Sequence, residues 1–328
     1  MIRTMHVRPD GIQEEQGNWN RIGEYLADPD GFFWLDLYDE PLDQVTALFE
    51  KVFHFHPLAI EDALVQIHVP KIDDWSEYIY VVLHSIMFDE SEDDLLDSQE
   101  LDIFLGRNYM VTYRNEECEA VDNTWASVVR DERLTQRGAG SLLYGLLEEM
   151  ATRYMVIIDR LDDLVESIEQ DVFTDPKTEL LQTLFTTKRS LLTLRRVLTP
   201  QREVVNKLAR GDFGVVNQKD RSYYRDVYDH YVRLHDINES LRDLVGGALE
   251  TYLSVVNNRM NDIMKTLTII TTFFMPISFL ASFFGMNFFP APAVFAGVTG
   301  PTGFIIAAVL FVSVPFGMFL WVRKRKWL

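Results

Sequence analysis

Between Thr266 and Val322 the sequence has no Asp, Glu, Lys or Arg for 57 consecutive residues. A globule exposed to water along its whole length is excluded. Basic residues are scarce elsewhere: leaving out Arg323, Lys324, Arg325 and Lys326, 27 Lys and Arg remain against 50 Asp and Glu. Such a surface repels phosphate, which argues against nucleic acid as a partner and for a surface that concentrates cations. Cys118 is the only cysteine, so neither a disulfide framework nor a Cys-based zinc site forms within one chain. Met1 to Asp10 lacks an apolar run that would direct secretion. There is no GxGxxG, P-loop, HExxH or evident nucleophile–base set, and enzyme chemistry is not expected.

What is present begins with the uncharged block. About 20 helical residues cross a hydrocarbon core of roughly 30 Å, so the block is too long for one crossing. It divides at the Pro- and Gly-rich stretch Pro290 to Gly303 into spans at Leu267 to about Phe284 and Gly303 to Val322. Pro276 and Pro315 predict a kink in each. Arg259 and Lys265 precede the first span, four bases follow the second, and none lies between, so both termini are expected in the cytoplasm. Two crossings cannot enclose a polar path, and a transport role requires several chains about an axis.

The remainder reads as an α/β domain over residues 1–138, long helices over 139–219, a stalk continuous with the first span over 220–285, an outer loop over 286–302, the second span over 303–322 and a basic tail over 323–328. Strands are predicted at Phe32 to Leu37, Tyr78 to Met87 and Leu101 to Tyr113, and helices at Leu42 to Phe53, Pro57 to Val65 and Ala120 to Arg133. The acidic run Asp89 to Asp97 predicts a solvated hairpin tip. Helical spacing then runs from Ser141 to about Thr174, ended by Asp175-Pro176, and from Lys177 to about Arg210, interrupted or kinked near Pro200. A third helix starts near Asp220 and meets no proline before Pro276. Its roughly 100 Å needs partners, either the two preceding helices or copies of itself.

Asn261, Met264, Leu267, Thr271, Met275, Ser278 and Ser282 are spaced by three or four residues and share one face of that helix. In a ring of copies, such a line gives apolar constrictions separated by hydroxyl and amide rings, a route for an ion that keeps its water shell. Small residues at helical spacing also allow close helix packing, and spacing alone admits both readings.

Just beyond the first span stands Gly285-Met286-Asn287. Placed before a second C-terminal span and a basic tail, it resembles the signature of the CorA family of magnesium and cobalt channels. The resemblance extends to His56-Pro57-Leu58-Ala59-Ile60-Glu61-Asp62, Tyr224 to His230, Tyr252-Leu253-Ser254, Met264 to Ile270 and the closing Lys326-Trp327-Leu328. It implies a funnel-shaped homopentamer in the cell inner membrane, with an α+β cytoplasmic domain and a long helix that continues as the pore. It also implies transport of Mg²⁺ and Co²⁺. The selectivity filter becomes Gly285, Met286 and Asn287. The polar line becomes the pore lining, with Met264 and Leu267 as its gate. Asp226 is expected against Glu61 and Asp62 of a neighbouring copy, where regulatory Mg²⁺ binds, and Glu148 at a second nearby site. Carboxylates about 5 Å apart repel by about 3 kcal/mol per pair at an effective dielectric near 20 unless a divalent cation lies between them. Loss of internal Mg²⁺ therefore loosens the ring and opens the gate. One departure stands out: Phe288 to Ala293 carries no acid where many family members have an acidic loop.

Other assignments compete. His54 and His56 form an HxH pair without a third zinc ligand at suitable spacing, and packing at a strand–helix junction is the expectation. His230 and His235 lie among stalk acids, where solvated or interface roles are expected. Zinc-transporting members of the family it resembles typically differ at the signature's middle residue, so the resemblance at Met286 favours magnesium over a zinc- or nickel-preferring transporter. A membrane-anchored structural or signalling coiled coil that conducts nothing is the reading from another class.

Overall fold

The computed structural model describes residues 1–8, 11–16, 21–28, 30–65, 68–88, 95–130, 138–174, 176–285 and 301–325. They form two compact units, residues 1–250 and 251–328.

The first unit is built on a seven-stranded sheet. Its strands are β1 (Ile2–Arg8), β2 (Gly11–Gln16), β3 (Phe32–Tyr38), β4 (Lys71–Asp74), β5 (Tyr78–Phe88), β6 (Leu96–Gly106) and β7 (Tyr109–Arg114), in the order β2-β1-β3-β7-β6-β5-β4. Only β3 and β7 pair in parallel. One face carries α1 (Ile22–Leu26), α2 (Leu42–Lys51) and α3 (Pro57–Val65), which close a core including Phe33, Phe49, Phe55 and Phe104. The other packs against α4 (Glu119–Arg130), α5 (Ala139–Thr174) and α6 (Thr178–Arg210). Coverage on both faces explains why Phe32 to Leu37 is buried at every position instead of alternating.

One member of that run is an acid. Asp36 is fully buried, its Oδ2 accepting from Arg3 Nε at 2.8 Å and Arg114 Nη2 at 3.1 Å, and its Oδ1 from Thr112 Oγ1 at 2.6 Å. Two guanidinium groups and a hydroxyl satisfy a carboxylate that burial alone would make costly.

Several boundaries differ from the sequence expectation. Leu101 to Tyr113 is a hairpin and not one strand: Gly106 closes β6 and Tyr109 opens β7. β1, β2, β4 and α1 are additional elements. β5 and β6 do form a hairpin, pairing Phe88 with Leu96, while residues 89–94 of its acidic tip lie outside the described residues. α6 passes Pro200 as one continuous helix and stops at Gly211, whose φ of 72° suits a residue without a side chain.

α7 (Arg221–Gly285) is a single helix of 65 residues. From Tyr224 its buried residues are Val227, Tyr231, Leu234, Asn238, Leu241, Val245, Ala248 and Tyr252, in alternating steps of three and four. This is a heptad seam. It runs against the two preceding helices: Tyr224 Oη donates to Gly140 O at 2.7 Å, Tyr231 Oη accepts from Gln201 Nε2 at 2.9 Å and Asn238 Nδ2 donates to Leu191 O at 3.3 Å. The second unit holds the remainder of α7 and α8 (Pro301–Lys324), the two stretches long and apolar enough to cross a membrane.

Candidate functional site

Every member of the predicted polar line on α7 is exposed: Asn261, Met264, Leu267, Thr271, Met275, Ser278 and Ser282. The same helix has a half-covered face of Ile269, Thr272, Phe273, Pro276, Ile277 and Leu280. At about 100° per residue the two faces are separated by well over a quarter turn and lie nearly opposite. α8 also has one less exposed face, at Gly303, Ala307, Phe311, Val314, Met318 and Val322, while Phe304, Ile305 and Val312 project outward. The polar line is therefore part of the surface that a single chain leaves open, together with Ile263, Ile270, Phe274 and Phe279.

Local hydrogen bonding shapes what that line presents. Thr271 Oγ1 donates to Leu267 O at 2.9 Å, so its proton is held by the helix and its lone pairs are left for an incoming donor. Water around a cation directs its protons outward, and such oxygens suit it. Thr268 and Thr266 donate in the same way to Met264 O and Asp262 O. Gly285 is the last residue of α7, and a Cβ there would meet nothing within 4 Å. Met286 and Asn287 lie outside the described residues.

The four predicted sensor acids fall into two groups. Glu61 and Asp62 sit on α3; Glu61 is exposed and Asp62 half-buried. The Asp62 carboxylate is ion-paired with Lys71, which also lies 3.2 Å from Asp73, and His68 Nε2 is 3.5 Å from Asp62. A divalent ion arriving at Asp62 would thus replace an ammonium and not fill an uncompensated site. Asp226 is exposed on α7, and Glu148 is half-buried on α5. Tyr144 links this second group: burial, followed by its hydrogen bond to Glu148 and the charge of Asp226, pushes its phenol above the usual range. Its ring meets Tyr223 edge-on at 5.3 Å. Neither tyrosine stood out in the sequence, because aromatic residues at helical spacing ordinarily signal core. Among the described residues no three His, Cys, Asp or Glu side chains converge as a metal site within one chain.

The histidine pair serves the fold. His56 Nδ1 accepts from Leu58 N at 3.2 Å at the start of α3, and its ring stacks on Trp75 at 4.1 Å. His54, with a φ of 55°, places Nδ1 3.0 Å from Glu50 O. On the stalk His230 is exposed and His235 lies 3.6 Å from Asp236.

Residues 29–324 match the family model described as CorA-like Mg2+ transporter protein. The chain is 31% identical over 297 residues to the cobalt/magnesium transport protein CorA of Thermotoga maritima, covering 90% of this chain and 83% of that protein. It is 24% identical over 267 residues to the zinc transport protein ZntB of Yersinia pestis, covering 79% and 77%. Among solved structures, the complete CorA magnesium transporter from Methanocaldococcus jannaschii matches with a TM-score of 0.82 at 22% identity, over 100% of this chain and 99% of that one.

Proposed function

The chain belongs to the CorA-like Mg2+ transporter family, and we propose from that premise that it carries Mg²⁺, and Co²⁺, through a pore enclosed by copies of α7. The family makes it a divalent-cation transporter with two C-terminal membrane-spanning helices and not an enzyme. The observation that carries the finer reading is the open polar line, lying nearly opposite the half-covered face of the same helix. A face that is polar at intervals and bare in one chain is unfavourable against lipid and acceptable around a shared aqueous axis. Five copies in a funnel, with both termini in the cytoplasm, complete the arrangement. Met264 and Leu267 form its gate, and Asn287 offers an uncharged amide ring at the outer mouth.

Regulation follows from the acids. Hard carboxylate oxygens suit Mg²⁺, and with no complete cluster among the described residues of one chain, a site built from Glu61, Asp62 and Asp226 draws on two copies. Internal Mg²⁺ bound there, with Glu148 at a second position, holds the ring closed. Asp226→Lys places an ammonium where the ion would sit, and internal Mg²⁺ should then no longer inhibit uptake. Inhibition at the wild-type concentration would refute the sensor.

The test of the whole reading is uptake by the purified chain in liposomes with Mg²⁺, Co²⁺ or Zn²⁺ outside. Mg²⁺ uptake is expected and should vanish in Asn287→Ala. Uptake of Zn²⁺ alone would favour the second reading, a zinc-preferring transporter, which the likeness to ZntB brings forward. No uptake of any of the three would overturn the reading of the polar line as a cation path.

A further inference from the structure

The seam of α7 carries three polar rungs seven residues apart, Tyr224, Tyr231 and Asn238, and the middle one differs from the others. Tyr224 and Asn238 each bond a backbone carbonyl of a neighbouring helix. Tyr231 bonds a side chain, Gln201 of α6, which is fully buried and has every polar group in use. Gln201 Nε2 donates to Tyr231 Oη at 2.9 Å and to Tyr154 Oη of α5 at 3.0 Å, while its Oε1 accepts from His84 N of β5 at 3.0 Å. Tyr154 Oη in turn donates to His84 O.

The sheet explains why His84 needs them. β4 pairs with β5 no further than Val82, so among the described residues the N–H and C=O of His84 on that side meet no strand. A glutamine and a tyrosine from two helices take the place of the missing strand. The tyrosine rings meet edge-on at 6.0 Å, and burial pushes both phenols upward, keeping them protonated. One amide therefore ties the sheet edge, α5 and α7 together at a point sealed from water.

We propose that Gln201 is a positioning residue for transport: it restrains α7, the helix that bears the polar line, in one register against the sheet. Any slide or turn of α7 that accompanies opening has to break the Tyr231 bond or carry the sheet edge with it. Groups losing partners in a site without water have no replacement, which makes the rung an all-or-none restraint. The inference rests on membership in the transporter family and not on which cation is carried.

The test uses the full-length chain in liposomes, with Mg²⁺ as the probe, or Zn²⁺ if wild type carries only that ion. Tyr231→Phe cuts the link to α7 alone, Tyr154→Phe the link to α5 alone, and Gln201→Met removes the amide. Tyr231→Phe and Gln201→Met should each raise flux about fivefold, the worth of one net hydrogen bond. Tyr154→Phe should stay within about twofold by the same scale, because Gln201 still holds Tyr231. Gln201→Glu, protonated in so dry a site, has one donor hydrogen where the amide has two; with Tyr231 Oη turned to donate to the carboxyl the link to α7 is kept, and flux should stay within about twofold of wild type. Thermal melting of each variant in detergent accompanies the flux. Equal flux changes in the two tyrosine variants, or a lowered melting temperature with unchanged flux in Tyr231→Phe, would overturn the proposal. A mistaken choice of ion shows differently, as wild-type flux with Zn²⁺ and none with Mg²⁺.

Discussion

Leu267→Ser is expected to raise cation flux in the presence of inhibiting internal Mg²⁺ by about tenfold or more. Leu267 stands 57% exposed on the open face of α7. On the proposed reading its side chains meet in the ring of copies and exclude water, which would close the path by dewetting. Burying one Leu is worth about 1.5–3 kcal/mol, and each copy contributes one. A serine in that position leaves room and offers a hydroxyl, so the constriction stays wet and the closed arrangement loses much of its advantage. Ile269→Ser, two residues away on the half-covered face, is the control and should leave the inhibited flux near wild type. Both variants would be compared in the same liposomes with a Mg²⁺-sensitive dye inside. Equal increases would mean that general loosening of the helix, and not the gate, was measured.

Asp36→Ala should be the most damaging change to the first unit. The substitution leaves Arg3 and Arg114 with an unmatched buried charge, and Thr112 without its acceptor. Removing one partner of a buried pair costs about 3–5 kcal/mol. For a unit of this size that lowers the melting temperature by on the order of 10 °C. Asp122 accepts from Arg3 and Arg114 at 2.6 and 3.0 Å but is 45% exposed, so it compensates only in part. Asp36→Asn, which keeps an acceptor for Thr112, should fall between. Melting followed by near-ultraviolet circular dichroism would check both, and a change within 1 °C for Asp36→Ala would contradict the electrostatic account.

Long periodic elements were legible in the sequence and short ones were not. α5, α6 and α7 begin and end within about two residues of expectation, because each is long enough for its apolar period to dominate and each has a clear stop. β1 and β2, by contrast, mix apolar residues with Arg, Gln and Glu, and their existence depends on the partner strands that pair with them. Gly106-Arg107-Asn108 carried the turn that divides β6 from β7, but the aromatic residues on either side read as one run. That the residues of the polar line share one face of α7 was legible from spacing. The Lys71 partner of Asp62 was not, since its proximity depends on the finished fold; Tyr144 lies one helical turn before Glu148 on α5, but an aromatic at helical spacing reads as core.

The seam on α7 has Tyr252 as its last buried member, and the polar line starts at Asn261. Nine residues at about 100° each bring these two positions to opposite sides of the helix. The intervening stretch acts as a phase spacer. One inserted residue would turn the polar line by about 100° relative to the seam, whereas seven would turn it by only about 20°. Chimeras between relatives that differ in cargo should therefore be joined in this stretch, with its length kept or changed by whole heptads.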